Sequence, residues 1–188
     1  MVSSERVFLD EARAWCRNGG DIDALVPSQF GTPSTRLDRA ASRGYCSAVR
    51  WLLDHGANTE GVATNFARAA PLHAVAARDR CDAAVLLLDA GAHVGARNYH
   101  SNTPLHHAAA AARIAMCKLL LSRGASLDAR NCEGRDPEAY ARYYPYPANA
   151  DFLADVRAAG GWWTGGSLGG WGSCKLTQLC RIWRSATR

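Results

Sequence analysis

Along this chain the apolar residues return at a fixed set of spacings. Val49, Leu52 and Leu53 stand at i, i+3 and i+4, which puts them on one buried stripe of a helix, and Val85, Leu87 and Leu88 are their crowded counterpart. A third leucine pair follows at Leu120 and Leu121. Just past each pair comes a Gly-Ala step: Gly56-Ala57, Gly91-Ala92 and Gly124-Ala125. Glycine takes positive φ without a Cβ clash, so each step predicts a left-handed cap closing the helix before it. At a constant distance upstream of the three glycines stand Leu37, Leu72 and Leu105. A shorter helix is predicted around each, with small residues at Ala40-Ala41, Ala76 and Ala108-Ala109 that let a neighbouring helix approach closely. Pro71 and Pro104 suit the first turn of such a helix, where a missing N–H costs nothing and φ is preset. Thr103, just before Pro104, supplies a cap for the exposed amides.

The pattern is one unit repeated. Its glycines fall at 56, 91 and 124, and Ala70-Pro71-Leu72-His73 recurs as Thr103-Pro104-Leu105-His106. A period of this length is the mark of a solenoid. These residues resemble the ankyrin repeat, from about Val7 to Gly160. The resemblance implies an all-α solenoid of stacked helix-turn-helix units with β-hairpin loops. The first full copy, Thr35 to Ala57, has Arg36 in place of proline and Asp38 in place of histidine. Ala12, Trp15, Cys16, Gly19 and Gly20 keep the spacing of Val49, Leu52, Leu53, Gly56 and Ala57, so the N-terminal segment reads as the second helix of a partial capping unit. Asp136-Pro137 restarts the motif, and Pro145 and Pro147 then end its first helix. A polar, irregular last unit keeps a solenoid from recruiting another copy. Gly44, at the turn between two helices, is replaced by Asp79 and Ala112, residues less suited to that turn. The expected organisation is a degenerate cap over residues 1–34, repeats over 35–160, and a tail over 161–188.

Composition narrows the function. The chain has 188 residues, 48% of them hydrophobic, and a net charge of +5 carried mostly by arginine. No stretch approaches a membrane span, and the N-terminus lacks the apolar core of a secretory signal. Seven scattered cysteines fit a reducing compartment, the cytoplasm or nucleus, better than a disulfide framework. His106, His107, Cys117 and Cys132 lack the close ligand pairs of a structural zinc site. Cys46 and Cys81 recur with the repeat and read as packing residues. There is no glycine-rich phosphate loop, nucleophile elbow or HExxH helix, so neither an enzyme nor a cofactor is expected.

Recognition is then left to residues that vary between units and face outward. The resemblance places these at loop tips and on the outer face of each first helix. They are Arg43, Phe66, Arg78, Arg97, Tyr99, His100, Asn102, Arg130, Glu133 and Arg135, with Ser42, Ala77, Ala110 and Ala111 on the same helical faces. Tyrosine, phenylalanine and arginine anchor protein interfaces. Four arginines, Arg43, Arg78, Arg97 and Arg130, favour an acidic protein or peptide. The expected function is thus a monomeric, non-enzymatic interaction module. An alternative rests on the tail, where Leu176, Leu179, Cys180 and Trp183 form one apolar stripe. Leu176, Cys180 and Arg181 resemble the elongin-binding helix of a suppressor-of-cytokine-signalling box, while Lys175 and Arg184 depart from it. That resemblance implies a substrate receptor of a cullin–elongin ubiquitin ligase. Basic residues around the stripe also leave membrane or nucleic-acid association open.

Overall fold

The computed structural model describes residues 4–27, 33–61, 68–144 and 148–160. Helix α1 (Ser4–Arg17) precedes four helical pairs: α2 (Arg36–Arg43) with α3 (Cys46–Asp54), α4 (Pro71–Arg78) with α5 (Cys81–Asp89), α6 (Pro104–Ala110) with α7 (Ile114–Ser122), and α8 (Pro137–Arg142) with α9 (Ala148–Ala158). The first helices stack in the order α2, α4, α6, α8, and the second helices in the order α1, α3, α5, α7. Alanines let the first row pack more closely than the second. Ala40, Ala41, Ala76, Ala108 and Ala109 are fully buried in that row. The last helix, α9, lies against α8 and α6 and buries Phe152, Leu153 and Val156.

Local chemistry explains each boundary. Thr35 caps α2 by accepting from the Asp38 amide at 3.1 Å, and Asp136 caps α8 by accepting from the Ala139 amide at 2.8 Å. Gly56, Gly91 and Gly124 have φ of +83°, +91° and +88°. In each case the alanine after the glycine donates to a leucine carbonyl one turn back, as Ala57 does to Leu52 at 3.0 Å. At the turn within each unit, Gly44, Asp79 and Ala112 all adopt left-handed φ, at +77°, +58° and +56°. The geometry is the same whatever residue must supply it.

The buried stripe departs from the sequence expectation in one unit. Val49 and Leu52 are fully buried, and so are Leu120 and Leu121, but the middle copy buries Ala84 and Leu87 while Val85 is half-buried. Ala84, one position earlier, is thus the true counterpart of Val49. The loops reach out as single tight turns. Among the described residues the one β-type pairing is an isolated antiparallel bridge between Val26 and Ser34. Asn98 and Asn131 do the work of a strand. Each side-chain oxygen accepts two backbone amides of its own loop at 3.0 Å, His100 and Asn102 in one, Glu133 and Arg135 in the other.

Candidate functional site

The repeated histidines are spent on folding. His106 accepts the Thr103 amide at Nδ1, 3.1 Å away, and its Nε2 donates to the Arg135 carbonyl at 3.1 Å. His73 makes the matching bond through Nε2 to the Asn102 carbonyl at 3.0 Å. His107 accepts from the Asn98 amide group at 3.1 Å, and its ring meets His73 edge-on at 5.4 Å. Burial lowers the pKa of all three, and pushes His107 down to about 4 with help from His73, His106 and His100 nearby. Burial raises the Cys117 thiol well above its usual range. Among the described residues no group of three His, Cys, Asp or Glu side chains is arranged to hold a metal.

The outward residues form a chain of contacts across the last two loops. Tyr99, 70% exposed, packs edge-on to His100 at 5.5 Å. The His100 carbonyl accepts the Cys132 amide of the next loop at 3.0 Å. Glu133 pairs with Arg135 at 2.8 Å, and the Arg135 guanidinium lies over the Tyr143 ring at 4.5 Å. Tyr143 is 73% exposed and abuts Tyr144, whose hydroxyl meets that of Tyr140 at 3.0 Å. Burial and the Tyr144 contact raise the Tyr140 pKa. One continuous aromatic and charged surface therefore runs from Tyr99 to Tyr144.

Not every expected surface residue lies on it. Asn102 is buried. Its side-chain oxygen accepts from Asn131 at 2.9 Å and its carbonyl accepts from His73, so it joins neighbouring units and has no outward group. Arg97 and Arg130 are exposed but already engaged, Arg97 donating to the Arg130 carbonyl at 2.8 Å and Arg130 to the Gly134 carbonyl at 2.7 Å. Arg43 and Arg78 are exposed at the last turns of α2 and α4, and neither makes an ion pair within 4 Å among the described residues. Phe66 and the Leu176–Cys180 segment lie outside the described residues, as do Pro145 and Pro147. Sequence reasoning missed Tyr140, Tyr143 and Tyr144. The signal was present: Tyr143 and Tyr144 stand one repeat length after Ala110 and Ala111, just past the end of the last first helix.

A family model of ankyrin repeats, three copies, matches residues 37–131. No curated protein matches the chain. With the stacked helical pairs and their caps in place, the match shows that this chain belongs to the ankyrin-repeat family. Ankyrin repeats are generally protein–protein interaction modules, and the family is typically non-enzymatic. Among the described residues no helix is long and apolar enough to cross a membrane.

Proposed function

We propose that this protein is a non-enzymatic adaptor that captures a protein or peptide on its first-helix and loop-tip face. The observation that carries this is the continuous surface from Tyr99 through His100, Glu133 and Arg135 to Tyr143 and Tyr144. Two tyrosines that expose most of their area are costly to leave in water, and they lose few rotamers when a partner covers them. Arg43 and Arg78 extend the face toward the other end and favour carboxylates of an acidic partner. Seven scattered cysteines, an odd count, support work in the reducing cytoplasm or nucleus.

Affinity capture from cells with the full chain tests this reading, beside Arg78→Ala/Tyr99→Ala and Tyr143→Ala variants. The variants are expected to lose the proteins that the parent retains, with thermal midpoints shifted by less than about 2 °C, as for surface substitutions. Retention of the same proteins by both variants would defeat the proposal.

A further inference from the structure

Helix α1 stacks on α3 as a second helix, but among the described residues its unit has no first helix. Each later first helix is covered by the one before it: α4 by α2, α6 by α4, α8 by α6. The corresponding face of α2 carries Arg36, Arg39 and Arg43 at i, i+3 and i+7, while Leu37, Ala40 and Ala41 are buried toward the stack. An open groove results between α1 and α2. Phe8, Glu11 and Trp15 line one wall and the three arginines the other.

The arginines are prepared but unspent. The Arg36 guanidinium stacks on the Trp15 indole, 4.4 Å from the ring centre. Its Nη1 is buried and, among the described residues, has no hydrogen-bond partner. Arg39 donates through Nη1 to the Pro27 carbonyl at 3.2 Å, and Arg43 lies 6.0 Å over Tyr45. None of the three makes an ion pair within 4 Å among the described residues. A buried donor without a partner is costly, and a guanidinium fork held flat by an aromatic ring matches a carboxylate. Among the described residues that line the groove, Glu11 is the one acidic side chain, against three cations.

We infer that this groove takes the carboxylates of an acidic segment from a partner protein, seated where a preceding first helix would stack. Arg36 reads the segment directly, and Arg39 and Arg43 add charge along it. The groove lies beyond the Tyr99–Tyr144 surface, and Arg36 belongs to the groove alone, so either reading can fail without the other.

A fluorescein-labelled octaglutamate peptide, titrated into the full chain and followed by anisotropy, tests the assignment. Arg36→Gln is expected to weaken binding at least about tenfold, a loss of one good charged contact, and the charge-matched Arg113→Gln less than about twofold. The Arg36 Nε–Hε signal in NMR spectra of the parent protein should shift on saturation. Equal weakening by both variants, or an unmoved Arg36 signal, would overturn the site in favour of diffuse net charge. Tighter binding of a labelled octathymidylate through Arg36 would overturn the carboxylate assignment in favour of phosphate. Should Arg36→Gln unfold, Arg36→Lys keeps the charge and removes the fork, and undiminished peptide binding by that variant would equally refute the role given to Arg36.

Discussion

The imidazole of His106 reaches the main-chain carbonyl of Arg135 at 3.1 Å, one unit away along the stack. His73 reaches Asn102 in the same way, so each motif histidine fastens its unit to the next loop. Because His106 is fully buried and also accepts the Thr103 amide, its removal strands both a donor and an acceptor. His106→Ala is expected to cost about 2–3 kcal/mol of unfolding free energy, measured by urea titration. A loss under about 0.5 kcal/mol would mean that water replaces both bonds.

The same histidines make stability depend on pH. Burial lowers the pKa of His73 and His106 below 6.5 and takes His107 to about 4, so the unfolded chain binds protons more readily than the folded one between these values. The stabilisation is fully present above pH 6.5 and is lost as pH falls toward 4. Each histidine contributes up to about 1.4 kcal/mol per pH unit within its window. Asp38, whose pKa is raised by burial, acts in the opposite sense and offsets part of the loss. Urea midpoints measured from pH 7.5 to 4.5 should therefore fall, and His107→Gln should flatten the slope.

Left-handed turns offer a way to gain stability. Ala112 and Asp79 hold φ of +56° and +58° where the first unit uses Gly44. A non-glycine residue costs about 1–2 kcal/mol in this conformation, and glycine gives back about 0.4–1 kcal/mol through the unfolded chain. Ala112→Gly should raise stability by about 0.5–1 kcal/mol, read as a higher thermal midpoint. Asp79→Gly should gain less, because aspartate tolerates this region and its Oδ1 accepts from the Cys81 thiol at 3.6 Å.

Neighbouring leucines on α7 test the register. Leu120 is fully buried, whereas Leu119 is half-buried against the core. Leu120→Ala is expected to cost about 2–5 kcal/mol in urea unfolding, and Leu119→Ala clearly less. The reverse order would rotate the helix from the position described.

Much of this fold was legible because its spacing is redundant: leucine pair, glycine and motif histidine each mark the same unit. Periodicity failed at Val85, where "AAVLLLDA" is apolar on nearly every side and Ala84 takes the buried slot. Asn102 misled for a different reason. A polar residue near a loop tip reads as exposed, and only the three-dimensional stack brings Asn131 and His73 against it. Trp15 kept the spacing of Leu52 yet stays 44% exposed, since among the described residues the unit of α1 has no first helix of its own to cover the ring. The tyrosines after α8 could have been found by counting one repeat on from Ala110 and Ala111.

Gly20 and Trp15 link the fold of the cap to its groove. A Cβ on Gly20 would run into the Trp15 indole, whose Nε1–H donates to the Asp21 carbonyl at 2.9 Å. The backbone there needs no glycine-only angle, so the clash is purely steric and the ring has to move. Gly20→Ala then breaks the indole hydrogen bond and removes the platform under Arg36. Together these are worth about 1–2 kcal/mol, which urea unfolding should detect. The Trp15 Nε1–H signal should shift and exchange faster with solvent in the variant. An unchanged indole signal with unchanged stability would show that the ring does not rest on Gly20, and the wall of the groove would have to be redrawn.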